Sequence, residues 1–321
     1  MKKLAHTVCI LLLMIFAGWP SVGRSAPFRV GVPSPSVSYL PLIVAWKMGF
    51  FAQEGIQPEF IVMKPFIIPA ALLNGEIQLT TATGTAAGAA VRGLPFKIVI
   101  FFSSKLMDSL ITRPQIRTLA DLRGKIIGVD TIGATTDVIT RLLLQKYGID
   151  PSRDVKILAT GHEGIRLEQL KLGQIDAAML GPQGVVVAKR AGLRVLADVA
   201  AEIDLPFAGG ATNDQIMERR QEELKKFLRA GVRGIRYTVD PGNRAKVVAL
   251  ILQWLELDQE TADYAYDMFI KVASRDGTLT RVQMETLLNE RKRQVKVTGD
   301  IPLDRVFDFS VVGEINRELS K

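Results

Sequence analysis

The residues of this chain that could do binding chemistry are hydroxyls and glycines in a loop between an apolar run and a helical pattern. Residues 125–129 predict a buried strand, the loop 130–136 carries three threonines, and apolar residues recur at helical spacing up to Tyr147. Thr135 or Thr136 is placed to cap this helix, with Asp137 in its first turn. Because the first N–H groups of a helix lack partners within it, this loop is either a candidate anion site or only a helix cap.

The same pattern occurs earlier in the chain, where residues 29–32 run into the hydroxyl-rich segment 33–39 and then into a helical pattern. Three pairs of glycines in matching contexts are separated by 97, 98 and 99 residues: Gly31 and Gly128, Gly75 and Gly173, Gly93 and Gly192. Three matches in the same order at nearly one offset indicate an internal repeat of two similar α/β units.

Ligands of open α/β sheets bind beyond the carboxyl ends of the strands, so two facing units would direct their loops at one cleft. The candidate ligand-binding residues are the polar and aromatic side chains of these loops: Ser36, Ser38, Tyr39, Phe66, Thr83 and Thr85 in the first unit, and Thr131, Thr135, Thr136, His162 and Gln183 in the second. Tyr39 and Phe66 would form an apolar wall or pack in the core. His162 is a ligand donor or a loop residue bonded to backbone.

Motifs for covalent or metal chemistry are sparse in the sequence. Cys9 is the only cysteine and His162 is the only histidine besides His6, and both Cys9 and His6 precede the first predicted strand. The sequence contains no H-E-x-x-H, no G-x-S-x-G and no Walker A loop. We therefore expect no catalytic residues, no metal and no cofactor.

The N-terminus has the pattern of a secretory signal peptide. Lys2 and Lys3 precede an unbroken apolar run over residues 8–17, and small residues follow it. We expect residues 1–25 to be a signal peptide, cleaved after Gly23 or Ser25; the alternative is an uncleaved anchor. Export would place the protein in the periplasm.

Composition is that of a globular protein, with 48% hydrophobic and 23% charged residues in a chain of 321. The formal charge of +8 falls to about +5 if Lys2, Lys3 and Arg24 leave with the signal peptide. No basic stripe interleaved with aromatic residues is present, so we expect no nucleic-acid partner. The densest basic run, Arg291 to Arg293, lies on a helical pattern and is expected to form a solvated face.

Predicted strands alternate with predicted helices over most of the chain, which favours mostly parallel sheets with helices on both faces. We expect one lobe from residues 26–112, a second from 113–205, and a return to the first at 206–321. The two crossings between lobes are expected near 112–114 and 205–209. Four predicted helices, the first a single helix over 215–239, would cover the first lobe.

Several motifs resemble one family of bacterial periplasmic solute-binding proteins. Tyr39-x-Pro41-x-x-x-Ala45-x-x-x-Gly49-x-Phe51 is similar to the family's first helix. Leu73-x-Gly75-Glu76-Ile77, the segment from Leu119 to Val129, and Gly173-Gln174-Ile175-Asp176-Ala177 resemble its later signatures. Gln78 stands where the family more often has Asp, and Phe66 where a small residue is common. The family serves ABC importers of sulfonates, taurine, nitrate and thiamine-pyrimidine precursors.

The resemblance implies a two-lobed type II periplasmic-binding fold that closes on its solute by hinge motion. It implies a monomeric subunit that captures a small organic, anionic solute and works with ABC permease subunits in the inner membrane. Two alternatives stay open: a pyrimidine-synthase-like enzyme of the same superfamily, and a periplasmic ligand-sensing subunit.

Overall fold

A computed structural model describes residues 26–133 and 135–320 of the chain. The first sheet contains β1 (Phe28–Val32), β2 (Pro58–Val62), β3 (Leu79–Thr80), β4 (Phe96–Ser103) and β10 (Ala208–Asn213). The second sheet contains β5 (Ser109–Thr112), β6 (Ile126–Val129), β7 (Lys156–Ala159), β8 (Ala177–Leu180) and β9 (Arg194–Asp198). The first and second lobes are these two sheets with the helices packed on them.

The helices follow the strands in chain order. They are α1 (Leu40–Lys47), α2 (Phe50–Gln53), α3 (Ile68–Leu73), α4 (Thr83–Val91), α5 (Thr135–Lys146), α6 (Glu163–Lys171), α7 (Pro182–Arg190) and α8 (Val199–Glu202). After the return to the first sheet come α9 (Asp214–Arg219), α10 (Gln221–Val239), α11 (Arg244–Leu255), α12 (Gln259–Val272), α13 (Arg281–Val295) and α14 (Ser310–Glu318).

Each sheet is mostly parallel and takes in one antiparallel strand. The first sheet has the order β2-β1-β3-β10-β4, and β10 runs antiparallel to both of its neighbours. The second has the order β7-β6-β8-β5-β9, and β5 runs antiparallel to both of its neighbours. In both cases the antiparallel strand is the first one that the chain forms after it crosses between the lobes.

The first crossing between lobes lies earlier than the sequence predicts. Ser109–Thr112, expected at the end of the first lobe, pairs with Ala177–Leu180 in the second sheet, so the chain crosses at 104–108 and not at 112–114. All four residues of β5 are buried, and an apolar run by itself does not indicate which sheet buries it. The return segment, 199–207, ends where β10 begins and overlaps the expected 205–209.

The internal repeat has a physical basis at two mid-strand glycines. A Cβ on Gly31 would lie 2.7 Å from Ile77 Cδ1, and a Cβ on Gly128 would lie 2.6 Å from Ile175 Cδ1. In each unit an isoleucine just before the neighbouring strand, β3 or β8, lies across the glycine so closely that only glycine leaves it room. The two units therefore repeat a packing contact as well as a sequence pattern.

Gln78 and Asp176 make equivalent hydrogen bonds in the two units. Gln78 Oε1 accepts a hydrogen bond from Arg29 N at 2.8 Å, and Asp176 Oδ2 accepts one from Ile126 N at 3.0 Å. Each side chain satisfies a backbone N–H at the edge of a strand, which explains why an amide replaces the family's more common Asp at residue 78 without changing the fold.

The C-terminal helices cover the first lobe but also reach the second, which the sequence did not indicate. The predicted single helix over 215–239 is two helices, because Arg220 breaks it and Asn213 caps α9 through a bond from Ile216 N. Helix α12 packs against α11 and also against α7 of the second lobe. Helix α14 was not predicted.

Among the described residues, no helix combines the length and apolarity needed to cross a bilayer.

Candidate functional site

A cleft of about 540 Å³ separates the two lobes and is lined by residues of both. The first lobe contributes the start of α4, the loop before α1 and the end of α13. The second contributes the loop before α5 and the start of α6. Asp108 lines the cleft from the first crossing, and Phe207 from the second. The segments that follow the carboxyl ends of parallel strands in the two lobes thus line one cleft, as the repeat predicts.

Eight of the candidate ligand-binding residues line this cleft: Ser36, Ser38, Tyr39, Thr83, Thr85, Thr135, Thr136 and His162. Phe66, Thr131 and Gln183 are not among the lining residues. Phe66 is 76% exposed, and its neighbour Pro65 faces the cleft instead. At the start of α7 the carboxylate of Glu163 occupies the space near Gln183, since it binds the N–H groups of Gly181 and Gly184.

Several of these hydroxyls already bind other parts of the protein. Thr83 Oγ1 accepts a bond from Gly209 N at 2.9 Å, and Thr136 Oγ1 accepts one from Asp130 N at 2.9 Å. The Tyr39 hydroxyl donates to Ser34 O at 2.8 Å, and its ring meets Trp254 edge-on at 5.4 Å. These three side chains therefore help to fix the shape of the cleft wall, in addition to any contact with a solute.

An acidic cluster forms the wall of the cleft on the side of the second lobe. Asp108, Asp130 and Glu163 all line it, together with the buried Arg166. Burial, and after it the nearby charge of Glu163, raise the pKa of the Asp108 carboxyl to about 7, while Arg166 opposes the shift. No sequence motif predicts this cluster, because its members come from the first crossing, from the loop before α5 and from α6.

Two carboxylates of the second lobe bind backbone N–H groups at or just before helix starts. Glu163 accepts bonds of 2.8 Å from Gly181 N and Gly184 N at the start of α7. Asp137, in the first turn of α5, accepts from Gly133 N at 2.8 Å and pairs with Arg141. The electrostatics of this wall disfavour an anion at Thr135 and Thr136, where the sequence alone places it.

Arg291 supplies positive charge from the side of the first lobe. It belongs to the run expected to be solvated, yet it is only 9% exposed and lines the cleft. Its Nη1 donates to Gln294 Oε1 at 2.6 Å, and its guanidinium lies against Gly84 in the first turn of α4. Burial lowers the pKa of the guanidinium, and Glu290 partly opposes this. A basic run on a helix does not by itself indicate which of its members faces inward.

The cleft also collects polar atoms that lack partners. Among the described residues, four buried side-chain atoms have no hydrogen-bond partner: Thr81 Oγ1, Asp130 Oδ1, Gln169 Oε1 and Arg291 Nε. Three of them, on Thr81, Asp130 and Arg291, belong to residues that line the cleft. Since buried polar groups in proteins are nearly always bonded, this concentration marks a place where a ligand or water completes the bonding.

One known protein family matches most of this chain. The sequence model of a family described as NMT1/THI5 like matches residues 36–245, well over half of the chain. The chain belongs to the NMT1/THI5-like family. This membership confirms the resemblance on which the sequence analysis relied.

Individual relatives of this family member are distant. A riboflavin-binding protein, RibY, of Chloroflexus aurantiacus is 24% identical over 287 residues, which cover 79% of each chain. The periplasmic sulfonate-binding protein SsuA of Methylobacillus flagellatus KT has a similar structure, with a TM-score of 0.74, 13% identity, and coverage of 92% of this chain and 95% of that one. The desulfurization enzyme DSZB aligns with a TM-score of 0.64 at 13% identity over 92% of this chain and all of its own.

These likenesses establish the architecture. The expected α/β fold is confirmed: the chain has the fold of the periplasmic binding proteins of ABC importers, with two sheets flanked by helices. The same fold also carries an enzyme, so the fold alone does not decide between capture and chemistry.

Proposed function

We propose that this protein is the extracytoplasmic solute-binding subunit of an ABC importer and that it captures a small organic solute in the cleft between its lobes. The observation that carries this proposal is the placement around one cleft of three buried polar atoms that have no hydrogen-bond partner among the described residues, Thr81 Oγ1, Asp130 Oδ1 and Arg291 Nε. Binding a polar solute there would supply the missing bonds, each worth about 0.5–3 kcal/mol depending on charge.

Hinge closure is the expected mechanism of capture. Two crossings, 104–108 and 199–207, join the lobes, and a few residues in such segments can absorb the backbone changes of closure. A solute that contacts both walls of the cleft stabilises the closed form by its differential affinity for that form. The closed form would then dock on permease subunits in the inner membrane as a monomer released into the periplasm.

Simple binding is favoured over catalysis by the side chains in the cleft. The only histidine in the described part of the chain is His162, which is exposed at the start of α6. Among the described residues that line the cleft, no hydroxyl is hydrogen-bonded to this histidine as a nucleophile would be. The cleft is lined by carboxylates, hydroxyls and the two buried arginines Arg166 and Arg291, which suit reversible hydrogen bonding.

A thermal-shift screen of the mature protein tests this function. The panel contains sulfonates, carboxylates, nitrate, pyrimidines and flavins, and the expected result is a hit whose concentration dependence fits one site. Small-angle scattering should then show compaction on saturation, and mass spectrometry should recover the solute unchanged. Conversion of the hit into a product would overturn the proposal in favour of an enzyme, and saturating binding without compaction would rule out hinge closure.

A further inference from the structure

We propose that the cleft has two subsites of opposite polarity on opposite lobes: Arg291 binds an anionic group of the solute, and Asp130 accepts a hydrogen bond from a nitrogen at its other end. This inference rests on the proposed function and names the chemical class of the solute. It moves the anion from Thr135 and Thr136 in the second lobe to the first lobe.

Arg291 lies at the start of α4, where it forms the anionic subsite. A Cβ on Gly84 would lie 2.9 Å from Arg291 Nη2 and 3.0 Å from Cζ, so the guanidinium lies directly on the first turn of this nine-residue helix. The N-terminus of a helix carries partial positive charge, which makes it a poor neighbour for a buried cation. An anion bound between them would be stabilised by both.

Neighbouring side chains leave part of the Arg291 guanidinium unpartnered. Glu290 is close and also buried, but its oxygens accept from Arg293 Nη2 and from Gln294 Nε2. Gln294 takes one Arg291 N–H through Nη1, and Nε has no partner among the described residues. A guanidinium can present a fork of parallel donors, which matches the oxygens of a carboxylate, sulfonate or phosphate.

Asp130 forms the second subsite. Its Oδ1 is buried and without a partner in the described part of the chain, and its backbone N–H is fixed by Thr136 Oγ1. Glu163 adds negative charge to the same wall. Arg166 is the cation of the cluster, and it donates Nε and Nη1 to the carbonyls of Met179 and Gly161. A protonated amine or a ring N–H would therefore be favoured here, and an anion would be repelled.

The two subsites together select a two-ended organic molecule. A solute with only an anion leaves Asp130 unsatisfied, and one with only a donor leaves Arg291 unsatisfied. A cleft of about 540 Å³ falls within the usual range for drug-sized ligands, well above what an inorganic oxyanion fills. Because the subsites lie on different lobes, only a solute with both groups bridges the cleft.

Calorimetric titration with matched probes tests the proposal. The probes are aminosulfonates and amino acids of increasing length, the same alkyl sulfonates and carboxylates without the amine, and the amines without the anion. We expect the best two-ended probe to bind at least tenfold more tightly than either of its halves. If no two-ended probe exceeds its halves, including the case in which none of them binds, the proposal is overturned.

Two variants, each of which replaces a charged side chain by an uncharged amide, assign the subsites. Arg291→Gln should weaken the two-ended probe by about ten- to a hundredfold, the range of one hydrogen bond to a charged group, and abolish its advantage over the amine half. Asp130→Asn should weaken it similarly and abolish its advantage over the anionic half. Arg281→Gln on the exposed start of α13 and Asp300→Asn on an exposed loop serve as matched controls and should bind as the parent does.

The stability of the empty protein separates a binding role from a structural one. Because Arg291 is a buried cation against a helix start, Arg291→Gln should leave the melting temperature of the solute-free protein unchanged or raise it. A large drop in that temperature, or two-ended binding that neither variant weakens, would overturn the subsite assignment. The thermal-shift hit and compaction that support a solute-binding subunit would stand in that case, so the two failures are distinguishable.

Discussion

Arg190 and Asp258 form a two-point ion pair that joins the lobes, with Nη1 2.5 Å from Oδ2 and Nη2 3.1 Å from Oδ1. Arg190 ends α7 of the second lobe, and Asp258 caps α12 by accepting from Thr261 N. Glu260 also accepts from Arg190, and Lys189 lies 4.7 Å from the centre of the Tyr264 ring. Charged and aromatic contacts therefore hold the two helices together in this conformation.

Arg190→Ala should loosen the lobes without unfolding the protein. The two carboxylate side chains are at least half exposed, so solvent screens the pair and its loss should hardly change the melting temperature. We expect the solute-free variant to have a larger radius of gyration than the parent by small-angle scattering. Arg281→Ala, which breaks an exposed pair within one helix, is the control. Identical scattering curves for Arg190→Ala and the parent would show that this pair does not restrain the lobes.

Gly234→Ala should destabilise the protein by about 1–3 kcal/mol, the usual range for overpacking a core contact. Gly234 lies inside α10 where this helix crosses α1, and an added Cβ would collide with the Pro41 carbonyl oxygen. Backbone atoms of a packed helix cannot move aside as a side chain can. Urea unfolding monitored by circular dichroism measures the change.

Gly313→Ala is the matched control for that substitution, with the opposite expected sign. Gly313 also lies inside a helix, α14, but the nearest atom to its added Cβ is Arg317 Nη1 at 3.7 Å. Replacing a helical glycine by alanine where space allows should stabilise by about 0.5–1 kcal/mol. Equal effects of the two substitutions would contradict the close crossing of α10 and α1.

Asp108→Asn should change how stability depends on pH. The pKa of Asp108 is raised to about 7 in the folded protein from 3.8, so folding takes up a proton between these values. Stability contributed by this group is therefore lost as the pH rises from about 4 to about 7. Asparagine imitates the neutral acid, so the free energy of unfolding of the variant minus that of the parent should increase across this window. A difference that stays flat with pH would indicate that Asp108 titrates normally.

Residues 1–25, which lie outside the described residues, carry the prediction of export. Intact-mass measurement of protein from a periplasmic fraction should give a chain that begins at Arg24 or Ala26. A full-length species confined to the cytoplasm would refute the signal-peptide prediction, and a full-length species bound to membranes would support the anchor alternative.

Much of the fold could be predicted from the sequence because its signals are local. Strand runs, helical spacing and the glycine repeat identified most elements, and the equivalence of Gly31 and Gly128 reflects one repeated contact with an isoleucine. The position of β5 could not be predicted, since the sheet that buries an apolar strand depends on long-range pairing. The contact between α12 and α7 depends on long-range packing in the same way.

The candidate site could be predicted only in part, because the burial of its charged residues is not visible in the sequence. Hydroxyls at helix starts, such as those of Thr85 and Thr135, were found because they follow strands in the repeat. Asp108, Asp130 and Arg291 share no sequence pattern. Asp108 is distinguished by burial that raises its pKa, and Asp130 and Arg291 each have a buried polar atom with no hydrogen-bond partner among the described residues. Whether a charged side chain is solvated or enclosed depends on neighbours that are distant in sequence.

The antiparallel strand within each sheet determines where this chain can be recombined with a relative. A cassette cut at residues 113–205 would leave β5 behind and open a gap between β8 and β9, whose freed edges invite pairing with other copies. A cassette of 104–207 carries β5 with its partners and leaves β10 in place between β3 and β4. Chimaeras designed to exchange solute preference between family members should therefore be joined within the crossings, where no strand pairing has to be remade.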